Sequence, residues 1–252
     1  MTASIIIYYL CQQWKNNHKL TGKEFIVKTI VTTELLKDIA NFYNVKCYDV
    51  LTGFKYSAEQ IRLLEGKEQF IGGGEESYGY LIGDFVRDKD AVISCCIIAE
   101  IAAWCKENGK SLIDTLYDIY SEFGFYKEFL LSLTKKGISG NQEIENMMKD
   151  YRNNPPKTIN GKKVTMIKDY LSLKSYNIEK QNEEDILLPK SNVLQFFLED
   201  NTKITVRPSG TEPKIKFYFS VKIPIKSKDE ISSASNQADI TINNIIKEMN
   251  LE

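Results

Sequence analysis

The sequence predicts an α/β fold in two domains, and three observations carry that expectation. Between residues 25 and 73, strand-like and helix-like segments alternate, the rhythm of a layered α/β sheet. At Gly124 the chain is punctuated, and beyond it the apolar pattern becomes strand-rich. The 252 residues, 42% of them hydrophobic, suffice for one or two ordinary cores.

Taken in order, Thr2 reads as the cap of a helix running to about residue 16, with Ile6, Tyr9, Leu10 and Gln13 at helical spacing. Residues 25–31 read as a buried strand, 34–43 as a helix with Leu35, Leu36, Ile39, Ala40 and Tyr43 on one face, and 45–50 as a second strand. A turn over 52–55 leads into a helix at 57–65, and 69–73 reads as a third strand. Gly72, Gly73 and Gly74 leave the backbone exposed and able to make tight turns. An apolar helix follows at 91–107 and an amphipathic one at 111–123, with Leu112, Leu116, Ile119 and Tyr120 inward. These elements form a first domain, 1–124. In the second, 125–252, strands are expected at 126–134, 163–167, 192–198 and on both sides of Arg207. Helices are expected at 141–152 and 231–249, and the polar stretch 177–185 reads as an exposed loop. The second domain is therefore α+β with an antiparallel sheet.

Composition excludes several classes. A net charge of −1 argues against a broad nucleic-acid footprint. Five cysteines, mostly in apolar surroundings, read as buried thiols of a reducing compartment. The single histidine, His18, and the absence of a C-x-x-C pair leave no zinc site. The apolar run 5–10 lacks a basic lead and a cleavage site, and is too short to span a membrane. A cytoplasmic location is the default, with no nucleic-acid and no membrane partner.

Two loops carry chemistry. In the first, Arg207-Pro208-Ser209-Gly210-Thr211-Glu212-Pro213-Lys214 sits between two strand-like runs. Arg207 offers a bidentate fork, Ser209 and Thr211 offer hydroxyls, and Gly210 allows close backbone approach, a set suited to an anion. A plain hairpin turn carrying an arginine has the same composition. No Walker spacing is present. In the second, Gly72 to Gly79 places Glu75, Glu76 and Ser77 directly after three glycines. A carboxylate there can accept hydrogen bonds from neighbouring sugar hydroxyls, although a glycine turn into a strand reads equally well. Arg87-Asp88-Lys89-Asp90 reads as a solvated charged turn.

Together the two loops are more specific than either alone. Gly74-Glu75-Glu76-Ser77-Tyr78-Gly79 followed by Arg207-Pro208-Ser209-Gly210-Thr211-Glu212-Pro213 resembles the α-D-phosphohexomutase superfamily of phosphoglucomutases and phosphomannomutases. Thr52-Gly53-Phe54-Lys55 and Arg87-Asp88-Lys89-Asp90 resemble the family's segments in the same order. The resemblance implies a three-layer α/β/α domain with a mixed sheet, then a smaller α+β domain with an antiparallel, TATA-binding-protein-like sheet. These are the family's third and fourth domains. It implies that Thr52, Gly53, Glu75, Ser77 and Lys89 line the sugar pocket, and that Arg207, Ser209, Gly210, Thr211 and Lys216 hold phosphate. Lys216 is the weaker candidate, since its side chain can face away. The family moves a phosphoryl group between the 1- and 6-positions of a hexose phosphate through a hexose 1,6-bisphosphate. A phosphoserine in its first domain and a magnesium-binding aspartate loop in its second carry the chemistry.

This sequence departs from that pattern in having neither motif. Thr2-Ala3-Ser4 is followed by Ile5 rather than histidine and reads as a helix start, and no Asp-x-Asp-x-Asp loop occurs. The expectation is a C-terminal fragment with recognition but no catalytic or metal residues, inactive alone, whose partners are hexose phosphate and the missing N-terminal domains. Magnesium and the bisphosphate belong to the whole enzyme. A free-standing sugar-phosphate binding module and a phosphopentomutase are the alternatives.

Overall fold

The computed structural model describes residues 1–77, 79–135, 138–210 and 212–251. The chain forms two compact units, 1–124 with 225–231, and 125–224 with 232–252.

The first unit is built on a four-stranded sheet of order β2-β1-β3-β4. Strands β1 (Glu24–Thr29), β2 (Lys46–Val50) and β3 (Gln69–Glu75) are parallel, and β4 (Gly79–Ile82) runs antiparallel to β3. Helix α3 (Phe54–Leu64) covers one face, where Phe54 and Ile61 pack with Phe25, Val27, Val50, Phe70 and Leu81. An irregularity in β3 between Phe70 and Gly72 turns Gly72 to the other face, toward Ile7 and Leu10 of α1 (Thr2–Asn16). Helix α2 (Leu35–Phe42) packs on α1, as do α4 (Ala91–Glu107) and α5 (Leu112–Phe123). A 3-10 turn, Lys228–Glu230, rejoins this unit, with Lys228 Nζ 2.5 Å from Asp118 of α5.

The second unit carries an antiparallel sheet of order β5-β12-β11-β10-β7-β8-β9, with β6 (Thr158–Ile159) added to β7. Its strands are β5 (Phe125–Thr134), β7 (Lys162–Asp169), β8 (Lys174–Asn177), β9 (Asn182–Asp185), β10 (Leu194–Leu198), β11 (Lys203–Pro208) and β12 (Lys214–Ile223). Helix α6 (Ile138–Asn153) lies on one face, Tyr151 meeting Phe196 and Phe217 edge-on. Helix α7 (Ile231–Glu248) buries Ala238, Ile242 and Ile245.

Several expectations need correction. Thr2 is not the cap: Met1 holds that position without a side-chain bond, and Thr2 is already helical. Helix α3 starts at Phe54 rather than residue 57, because Gly53 at φ +116° supplies the reversal in place of a longer turn. The three glycines make no tight turn: the strand expected at 69–73 runs on through Gly74 to Glu75. They lie inside β3, where a Cβ on Gly73 would overlap the Val27 carbonyl oxygen, so glycine serves close strand contact. Segment 177–185 is no loop, since β8 and β9 form a hairpin across it. Both faces of β9 are exposed, so no apolar alternation marks it as a strand. Cys95 and Cys96 are exposed on α4, Cys11 and Cys105 are buried, and all five thiols are free. Burial pushes the Cys11 thiol up to about 12.

One polar group is fixed in the first core. Lys28 of β1 is 0% exposed, its ammonium 2.7 Å from Asp49 of β2 and 3.0 Å from Glu34 ahead of α2. Burial opposes the charge, but Asp49 and Glu34 outweigh it, and the pKa rises above the ordinary 10.5. Lys28→Met is expected to destabilise the first unit by about 3 kcal/mol in urea unfolding, because two carboxylates lose their partner. A folded-state pKa above the unfolded one means that this contribution is complete below pH 10.5 and is lost as pH rises beyond it. The difference between wild type and variant should therefore stay flat through neutral pH and shrink only in strong alkali.

Candidate functional site

In the first unit the site gathers where β3 ends. Glu75 pairs with Gly79 across the β3–β4 hairpin, with Glu76 and Ser77 at its tip. The Glu75 carboxylate is half-buried, and its Oε1 accepts the Gly53 N–H at 2.6 Å. Lys89 comes from the turn before α4. Its stem crosses Gly79 so closely that a Cβ there would lie 2.5 Å from Lys89 Cδ and 3.4 Å from Glu75 Oε2. Its ammonium sits 5.1 Å over the Phe54 ring and 2.8 Å from Asp88. The hydrogen bond to Asp88 foremost, with the charge of Glu75 adding, raises the Lys89 pKa.

The turn that presents Lys89 is fixed rather than merely solvated. Asp90 donates its N–H to the Tyr80 carbonyl at 2.8 Å, and its carboxylate caps α4 by accepting from Val92 and Ile93. Arg87 turns away to Glu65 at 3.1 Å. Gly53, Glu75 and Lys89 are thus brought together. Thr52 adjoins Gly53, half-buried, and Ser77 is exposed at the hairpin tip. Sequence reasoning missed Phe54, the platform under Lys89, and Gly79, whose missing side chain admits its stem. Both stand inside the quoted motifs, but glycine spacing alone does not reveal a side chain crossing over it.

In the second unit the loop 209–213 joins β11 to β12. Ser209 N–H donates to the Lys214 carbonyl at 2.8 Å, and Ser209 Oγ accepts the Glu212 N–H at 3.3 Å. Glu212 pairs with Lys214 at 3.0 Å, so Lys214 is neutralised locally. Gly210 is exposed, with open space where a Cβ would stand. Thr211 lies outside the described residues. Lys216 does not face away. It is the direct cross-strand partner of Arg207, so the two cations stand on the same face of the sheet. No carboxylate among the described residues forms an ion pair with either.

Chemically, the first cluster offers a carboxylate acceptor beside an ammonium donor, and the second offers two adjacent cations. Among the described residues no group of three His, Cys, Asp or Glu side chains could hold a metal. No helix among them is long and apolar enough to cross a membrane.

A mixed α/β sheet carrying the Glu75 hairpin, followed by an antiparallel sheet carrying the Arg207 loop, is the two-domain build that the resemblance implied. Residues 2–123 match the family described as phosphoglucomutase/phosphomannomutase, alpha/beta/alpha domain III. This stretch, which makes up the first unit of the chain, belongs to that family. The chain is 41% identical over 222 residues to the phosphoglucomutase of Staphylococcus aureus MRSA252, covering 88% of this chain and 39% of the relative. With the strain MSSA476 phosphoglucomutase it shares 40% over 234 residues, 93% of this chain and 41% of the relative. The chain thus spans about two fifths of the length of these relatives. Among solved structures, Paramecium parafusin in its open form superimposes with a TM-score of 0.65 at 15% identity, over 98% of this chain and 41% of that one. A phosphoglucomutase/phosphomannomutase family protein from Burkholderia thailandensis gives 0.51 at 13%, over 98% and 41%. These two similarities establish the fold.

The Gly79–Lys89 contact generates a test. Gly79→Ala is expected to expel the Lys89 stem while leaving the hairpin paired. Labelled-lysine NMR should show the Lys89 side-chain signals move to solvent-like positions, with the thermal midpoint shifted by only a few degrees, about 1 kcal/mol.

Proposed function

We propose that this chain is the substrate-recognition portion of a phosphohexomutase that interconverts hexose 1-phosphate and hexose 6-phosphate, glucose or mannose, through a hexose 1,6-bisphosphate. The observation that carries this reading is the cross-strand pair of Arg207 and Lys216 beside an open glycine loop. Like charges directly opposite one another are unfavourable until an anion lies between them. A phosphate with three exposed oxygens accepts from the Arg207 fork and the Lys216 ammonium together. Ser209 and Gly210 stand at the rim of the same loop, and Thr211 follows them in sequence.

The first unit supplies the sugar contacts. Glu75 accepts from a hydroxyl, Lys89 donates to its neighbour, and Ser77 and Thr52 complete the set. Vicinal hydroxyls present similar geometry when a hexose bisphosphate is reversed, so one loop serves both orientations. The work done here is binding and orientation, the larger part of phosphoryl-transfer catalysis. The phosphoserine and the magnesium ion belong to the remainder of the enzyme, and the reaction is placed in the cytoplasm.

Calorimetric titration with glucose 1,6-bisphosphate tests the reading. Saturable binding is expected, weakened about 10- to 100-fold in Arg207→Ala, as befits loss of charge-assisted hydrogen bonds. The same chain should convert no glucose 1-phosphate to glucose 6-phosphate above background. Measurable turnover, or binding indifferent to Arg207, would overturn the assignment.

A further inference from the structure

Glu75 and Glu76 are adjacent carboxylates of one hairpin, yet the structure gives them different partners. Glu75 Oε1 accepts from Gly53, at the start of α3. Glu76 reaches the other way, to the end of β1, where its Oε2 lies 2.9 Å from Thr32 Oγ1 and 3.2 Å from Thr29 Oγ1. Although Glu76 is exposed as a residue, these hydroxyls belong to side chains only 5% and 0% exposed. The two threonine oxygens are themselves 2.8 Å apart.

Each hydroxyl has one proton to give. The arrangement with the shortest contacts is a relay in which Thr29 donates to Thr32 and Thr32 donates to Glu76. Removing the carboxylate leaves the Thr32 proton, in a buried pocket, without that acceptor. The hairpin tip simultaneously loses its tie to the sheet's central strand. Glu75 is one peptide bond from the tie, so its side chain keeps its aim at Gly53 only while the tip is held.

We propose that Glu76 is a positioning residue: it does not touch substrate, but hangs the hydroxyl-recognising hairpin from Thr29 and Thr32 and thereby aims Glu75. This rests on the reading of Glu75 as a sugar ligand, but the positional part can be measured without any ligand. The readout is hydrogen exchange of the Gly53 amide, which reports the Glu75 bond directly, alongside calorimetric affinity for glucose 1,6-bisphosphate.

In Glu76→Ala, Gly53 exchange should accelerate about 10-fold and affinity should fall by a similar factor, the loss of about one hydrogen bond. The thermal midpoint should scarcely change. Glu76→Gln should keep both near wild type, because its amide oxygen accepts the same proton. The double variant Thr29→Val, Thr32→Val should reproduce Glu76→Ala with the carboxylate still present, and it keeps the test decisive if the alanine variant folds poorly. Unchanged Gly53 exchange in both, or a glutamine variant as impaired as alanine, overturns the inference. Accelerated exchange in a protein whose wild type binds no bisphosphate upholds it while defeating the functional proposal.

Discussion

The first unit depends on a single buried ammonium. Lys28 sits on the central strand of the sheet, and its two carboxylate partners come from different segments. Asp49 belongs to β2, so one contact fixes the neighbouring strand. Glu34 precedes α2, so the other fixes the turn that leaves β1. That turn carries Thr32, which meets Glu76, which borders Glu75. A charge in the interior is costly unless paired on more than one side, and here the pairing is what gives the turn a defined position. Specificity of position at the sheet's end is thus traced to one residue in its middle.

The second unit reaches its arrangement by register. In an antiparallel ladder, whichever residue stands opposite Arg207 shares its face. The five-residue loop sets that residue as Lys216. A slip of one residue would place the Phe217 side chain beside the arginine and send Lys216 into the apolar face that packs α6. The apolar residues Val206, Ile215, Phe217 and Phe219, all fully buried, hold the register and so hold the two cations together.

How much of this was legible in the sequence follows from what each feature depends on. Helices with a long apolar face, such as α2 and α5, announce themselves by spacing, and the buried parallel strands by apolar runs. The motif around Glu75 and the loop around Arg207 stand out by residue type and order, but composition leaves each open to a plain turn, and it is the resemblance carried by the two together that gives them a reading. The reason for the glycines of β3 is not legible in the sequence, because glycine demanded by a neighbouring backbone looks the same there as glycine demanded by a turn. β4, only four residues long, and β9, exposed on both sides, offer no period to detect. The facing of Lys216 required the register, which depends on pairing across the loop. The role of Glu76 required knowing that β1 ends beside β3, a tertiary fact.

The sheet of the second unit ends in β9, whose four residues are Asn182, Glu183, Glu184 and Asp185. An outermost strand offers unpaired backbone groups to any passing chain. Here a lysine of β8, Lys174, is flanked by Glu183 and Asp185 at 2.6 and 2.9 Å, which binds the edge inward. Three carboxylates in a row repel a second copy of the same strand laid alongside it. The stretch that reads as an exposed loop in the sequence therefore disfavours a second copy at this edge, the boundary at which the sheet stops.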